Sequence, residues 1–348
     1  MESLYYAVEI LILLIGILAA CLIFSNAVEN LGDKLNLSNQ VTGSVLAAVG
    51  TALPETIVPI IAIYLASQGH TAAAKHDIAI GSIIGAPFLL GTLAFFLVGV
   101  TVLIFAKKRG STNLIINPQH VRRDLFYFLI VFILALLATF CNHQVKLAIA
   151  IMIGLSYAFY IFKTLQANDL EAEHKVTCID TGVEEAEHVP DLYLSKLKFP
   201  TSIPVIYFQI ILGLLGIIFL AERFVHELEY AAGLWNISPL ILSLIITPIA
   251  TELPEKVNSC IWSSQSKDSL AIGNLTGAMV FQASIPCSIG ILFTPWVLDF
   301  NAGLSAIFAI LGASIIYVSL LVHKKLSAST LVLTGSLYLL YLFILFNH

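Results

Sequence analysis

Charge is scarce in this chain. Of its 348 residues only 11% are Asp, Glu, Lys or Arg, against 58% hydrophobic, and the mean hydropathy is +0.93. Such a composition excludes a soluble globular domain and makes the chain an integral membrane protein. The basic face that a nucleic-acid binder needs is missing too. Cysteines number five (Cys21, Cys141, Cys178, Cys260, Cys287). They are odd in number, lie mostly inside apolar runs and lack metal-ligand spacing, so they read as small packing residues. No His-Glu-x-x-His pattern or nucleophile–base pair at helical spacing occurs, which argues against an intramembrane enzyme. The start, Met1-Glu2-Ser3, lacks a basic stretch, and the apolar run from Leu4 to about Val28 exceeds a signal-peptide core. It is expected to persist as the first spanning helix.

With a spanning length of about 20 residues, ten helices are expected, near 4–31, 39–67, 77–106, 124–142, 145–165, 203–231, 238–263, 269–294, 301–323 and 328–347. They fall into five plus five. The expected organisation is therefore a first unit over 1–165, an acidic linker over 166–202 and a second unit over 203–348. Lys and Arg mark the cytoplasmic side. One side collects thirteen of them: Lys34, Lys107, Lys108, Arg109, Arg122, Arg123, Lys163, Lys175, Lys196, Lys198, Lys267, Lys324 and Lys325. The other holds Lys75 and Lys146. Both termini are thus expected outside and the linker inside. The linker is rich in Asp and Glu but lacks an EF-hand's ligand spacing and glycine, and reads as a hydrophilic connector.

Two motifs recur in the same order. Gly50-Thr51-Ala52-Leu53-Pro54-Glu55 returns as Ala250-Thr251-Glu252-Leu253-Pro254-Glu255, and Ala79-Ile80-Gly81-Ser82-Ile83-Ile84-Gly85-Ala86 as Ala271-Ile272-Gly273-Asn274-Leu275-Thr276-Gly277-Ala278. The first copies of both motifs fall in a stretch over 50–90, the second copies in a stretch over 248–282. A unit with an odd number of crossings re-enters the membrane from the opposite face when duplicated. The expected fold is all-α, with ten transmembrane helices in two inverted-topology five-helix repeats.

Within each hexapeptide, proline removes a backbone donor, so Pro54 and Pro254, with Gly50 and Pro248 nearby, should break or bend their helices. Carbonyls released there can become cation ligands. Thr51 shares a helix face with Glu55, and Thr251 with Glu255. A carboxylate at membrane depth is costly, and two at matching positions point to a cation site. All-oxygen ligation suits Ca2+ or Na+ better than zinc or copper. The plainer reading has the Pro-Glu pairs marking kinks with solvated glutamates, and the repetition in register weighs against it. Glu252 could supply a third carboxylate, take up a proton, since closely placed buried carboxylates resist joint ionisation, or merely attract cations from a water-filled vestibule. Glu222 and Arg223 read as helix-interior or interfacial polar groups rather than ligands.

At these residues the chain resembles the sodium/calcium exchanger family of the cation/calcium antiporters, whose two repeats carry a Gly-Thr-Ser-Leu-Pro-Glu type motif followed by a Gly-Ser-Asn type motif. The resemblance implies a central calcium site of Glu55, Glu255, Thr51 and Thr251, and alternating access by sliding of the first and sixth helices. The family's serines are replaced by Ala52, Glu252, Ala86 and Ala278, and its polar residue four positions further on by Leu90 and Gln282. These departures reduce the flanking oxygens used largely for sodium and leave the central calcium ligands. The candidate ion ligands are thus Glu55, Glu255, Thr51, Thr251, Glu252 and Gln282.

The expected function is a secondary antiporter exchanging Ca2+ against Na+ or H+, with no cofactor beyond the transported ions. Its partners are Ca2+, Na+ or H+ and the lipid bilayer, in a prokaryotic cell membrane, and a monomer is compatible with this. Competing readings are an H+-coupled exchanger of another cation and a cation channel. Channels usually assemble symmetric rings rather than one inverted pair.

Overall fold

The structure, a computed structural model, describes residues 2–34, 47–68, 72–177 and 191–347. Its main elements are α1 (Glu2–Lys34), α2 (Ala47–Ala66), α3 (Ala72–Ile104), α4 (Pro118–Leu137), α5 (His143–Thr177) and α6 (Ile203–Trp235). Then come α7 (Pro239–Thr251), α8 (Leu253–Ser264), α9 (Asp268–Phe293), α10 (Phe300–His323) and α11 (Ala328–Asn347). Among the described residues eight helices are long and apolar enough to cross a membrane, and two shorter apolar helices cover Glu55–Ala66 and Pro239–Ile249. These shorter pieces fall in the stretches expected as single spans over 39–67 and 238–263. Residues 39–46 lie outside the described residues. The second stretch is not one helix but two, α7 and α8, divided at Glu252. The linker's first part, 166–177, continues α5, while 178–190 lie outside the described residues.

Helix ends follow local chemistry. The Asn117 side chain accepts from the Gln119 N–H, with Pro118 opening α4, and Asp299 caps α10 by accepting from the Ala302 N–H. Such caps satisfy N–H groups that no helical carbonyl reaches. Asn236 ends α6 in the left-handed conformation, φ 54°, which Asn tolerates better than most residues.

Buried side chains form two large apolar clusters. One joins α1, α2 and α6, including Ile17, Phe24, Val58, Ile217 and Phe224. The other joins α3, α4, α5, α9, α10 and α11, including Phe88, Phe128, Phe132, Met279 and Trp296. Helices α3 and α7 belong to both: Ile78 and Leu242 face the first cluster, Ile84 and Leu244 the second. The two helices thus form the seam between a small helical pair-and-partner body and the larger bundle. Lipid offers apolar side chains nearly the same surroundings as a core does, so such seams depend on close packing and small residues.

Gly81 lies directly against the Leu240 carbonyl and Gly85 against the Leu244 carbonyl and Pro248. Pro248 has no N–H for the Leu244 carbonyl, and the missing Cβ of Gly85 lets α3 close over that exposed group. Gly85→Leu is expected to pry the seam apart and cost more than the ~1–3 kcal/mol of ordinary overpacking, because backbone atoms rather than a movable side chain block it. Loss of the monodisperse peak in detergent, with Gly273→Leu retaining it, is the outcome to look for, since no described atom crowds Gly273. Within α3 a π-helical turn, Leu90–Ala94, follows Pro87. Its loosened carbonyls find side-chain donors: Thr92 Oγ1 donates to Phe88 O at 2.6 Å and Thr334 Oγ1 to Thr92 O at 3.0 Å.

Loop contacts divide the two ends of the bundle. At one end β1 (Asn113–Leu114) pairs antiparallel with β2 (Leu326–Ser327), and Arg109 meets Asp268. At the other the Lys146 ammonium donates to the Pro295 carbonyl at 2.7 Å. The segments 105–117, 263–269 and 324–328, all assigned to one side from their basic residues, therefore lie together.

Candidate functional site

The two hexapeptides behave differently. The α2 helix runs through Pro54 without interruption, so the break expected there occurs in the second copy alone. In that copy Glu252 leaves helical geometry (φ −99°, ψ 7°) and α8 begins with Pro254 in its first turn. Proline supplies no N–H for the Ala250 carbonyl, and helix α7 cannot continue through it. The different outcome reflects Pro248, which adds a second missing donor in α7 and has no counterpart in α2.

Around this break the described site residues are buried: Glu55 (7% exposed), Thr251 (4%), Glu252 (0%), Glu255 (3%) and Gln282 (1%). The side chain of Thr51 lies outside the described residues. Glu55 on α2 accepts a hydrogen bond at Oε2 from the Gln282 amide on α9, tying the first hexapeptide's carboxylate to α9. The Glu55 carboxylate is also within electrostatic range of Glu255, Glu252 and Lys256. Cys21 on α1 is within range of both Glu55 and Glu255, so α1 walls the cluster. Thr251 Oγ1 donates back to the Thr247 carbonyl at 3.1 Å. Asn274, from the second motif, donates to the Glu255 carbonyl at 3.2 Å and to Ser259 Oγ at 3.1 Å, fastening α9 to α8 beside the break. Among the described residues no three His, Cys, Asp or Glu side chains converge into a cage on their own. An ion here must draw on hydroxyl, amide and carbonyl oxygens besides the carboxylates, as hard cations readily do.

Glu222 and Arg223 are exposed on α6, away from the cluster. One buried charged residue of this cluster escaped the sequence reading. The Lys256 ammonium is buried (4% exposed), stands 3.1 Å from Glu252 Oε2 and donates to the Pro248 carbonyl at 3.0 Å. A signal existed: Lys256 falls well inside an expected span, 238–263, and adjoins a motif glutamate.

Outside the site, Asp124 on α4 accepts from Tyr160 (2.8 Å) on α5 and from Thr276 (3.1 Å) on α9. This network fixes α9 from the side opposite the break.

Comparison with known proteins places the chain. The sequence profile of the family described as sodium/calcium exchanger protein matches residues 5–165 and 205–347. CaxA of Alkalimonas amylolytica is 23% identical over 278 residues, covering 79% of this chain and 77% of its own length. The solved structure of the H+/Ca2+ exchanger CAX superposes with a TM-score of 0.71 at 18% identity, covering 98% of this chain and 82% of that one. That of the sodium-calcium exchanger NCX_Mj gives 0.59 at 18% identity, covering 98% of both chains.

Proposed function

Because the chain belongs to the sodium/calcium exchanger protein family, we propose that it is a secondary antiporter moving Ca2+ against a monovalent cation, Na+ or H+, by alternating access. The observation that carries this reading is the buried cluster in which Glu55 of one repeat and Glu252 and Glu255 of the other interact across α2, α7 and α8. Buried carboxylates at membrane depth serve ions or protons, and one Ca2+ held between Glu55 and Glu255 would compensate both. Thr51, Thr251, Gln282 and carbonyls at the α7–α8 break complete an oxygen shell.

The architecture in this reading is ten transmembrane segments in two inverted five-helix repeats, with 166–202 as a cytoplasmic linker and both termini outside a prokaryotic cell membrane. The helix pair α1–α6 supports it. Gly16 on α1 faces Leu220 on α6, and Gly216 on α6 faces Ala20 on α1. The two-hundred-residue shift that superposes the hexapeptides exchanges these two contacts, as a two-fold axis between inverted repeats requires. This pair packs with α2 in its own apolar cluster. It can therefore slide over the seam of α3 and α7 and expose the carboxylates to either side in turn.

Two relatives bear names of Ca2+ exchangers, one coupled to H+ and one to Na+. Reconstitution tests the reading. In proteoliposomes, uptake of isotopic Ca2+ is expected to rise when unlabelled Ca2+ is loaded on the opposite side, and to follow an imposed Na+ or H+ gradient. Flux that ignores trans Ca2+ and both gradients indicates a channel instead.

A further inference from the structure

Lys256 has no part in the antiporter reading so far, yet it sits inside the ion cluster. Its ammonium lies between a carboxylate oxygen, Glu252 Oε2 at 3.1 Å, and a backbone carbonyl, Pro248 O at 3.0 Å. The carbonyl belongs to the turn that precedes the helix break, and it also takes the Glu252 N–H at 3.2 Å. A carboxylate and a carbonyl at a discontinuous helix are the ligands that transporters offer to a monovalent cation. Here the cation is covalently part of the chain. In the first copy of the motif the same position is Thr56, so the lysine breaks the symmetry of the repeats.

Charge sharpens the argument. Glu55, Glu252 and Glu255 are all buried, and Lys256 is the cation among them. With all four ionised the cluster carries a net charge of minus two, which one Ca2+ neutralises without help. The positions where the resembled family carries further polar side chains on α3, Ala86 and Leu90, are apolar and buried.

We infer that the Lys256 ammonium is a tethered cation that permanently fills a monovalent subsite at Glu252 and Pro248, so that Ca2+ binds beside it and Na+ cannot compete there. This rests on the Ca2+ antiporter reading. Lys256 acts as a specificity determinant: it removes the subsite at which Na+ would displace Ca2+. A lysine serving only to neutralise Glu252 for folding makes no such statement about Na+.

The test is equilibrium binding of isotopic Ca2+ to the purified full-length protein, with Na+ replacing choline at constant ionic strength. Wild-type affinity is expected to be nearly indifferent to Na+. In Lys256→Met the uncompensated Glu252 carboxylate recruits Na+, and Na+ then weakens Ca2+ binding by about tenfold or more, within the range usual for coupled sites. Lys256→Arg should retain indifference, and Glu252→Gln combined with Lys256→Met should restore it. Strong Na+ competition in the wild type overturns the inference, as does a folded, Ca2+-binding Lys256→Met that ignores Na+. The wild-type arm decides alone if Lys256→Met does not fold. Absence of Ca2+ binding in the wild type under every condition defeats the antiporter reading itself, an outcome distinct from Na+ competition.

Discussion

Replacing Glu55 or Glu255 by Gln is expected to reduce Ca2+ flux in proteoliposomes to the level of empty vesicles. Each substitution removes one charge from an ion that has shed its water. A unit-charge pair at 4 Å in an effective dielectric of 20 is worth on the order of 4 kcal/mol, and that corresponds to about a thousandfold in affinity. Folding should survive, because Gln keeps the size of Glu and its amide oxygen can still accept from Gln282, the present donor to Glu55. An unchanged elution profile in detergent together with lost flux is the expected pair of results. Near-normal flux in either variant moves the ion elsewhere.

Asp268→Asn should destabilise the protein by about 3–5 kcal/mol, the usual penalty for leaving one member of a buried ion pair alone. The Arg109 and Asp268 side chains are 2% and 0% exposed, and Nη2 meets Oδ2 at 2.7 Å. The same oxygen accepts the Ile115 N–H at 2.8 Å, and Arg109 also donates to the Ser263 carbonyl. One carboxylate thereby joins the turn after α3, the strand β1 region and the junction of α8 with α9. The asparagine leaves a guanidinium charge buried without its counterion. Thermal unfolding in detergent measures the loss, and Arg109→Met combined with Asp268→Leu should recover much of it, since an apolar pair carries no desolvation penalty. A melting temperature unchanged by Asp268→Asn excludes this clasp as a source of stability.

Much of the architecture was legible in the residues themselves. Apolar runs of membrane length predict eight of the spans found, because lipid leaves a backbone no partner but its own helix. Basic residues sorted the loops into two sets, and contacts at β1–β2 and at Arg109–Asp268 bring three segments of the larger set together at one end. The helix break was less legible. Proline in both hexapeptides suggested two breaks, yet α2 continues through Pro54 and only the second copy parts at Glu252. A lone proline removes one donor, which a packed helix can accommodate, whereas Pro248 and Pro254 together remove two within adjacent turns.

The sequence by itself determined a membrane-spanning helical chain in which an acidic hexapeptide motif occurs twice, since hydropathy, spacing and repetition are properties of order along the chain. Which groups meet was decided by the tertiary structure. Gln282 reaches Glu55 across 227 positions, and the glycines of α3 fit the carbonyls of α7. Lys256 turns from a residue that merely follows a motif glutamate into the cation inside the cluster because the break at Glu252 folds its ammonium back over Pro248. A charge's meaning in a membrane depends on the oxygen atoms within a few ångströms of it, and only packing brings them there.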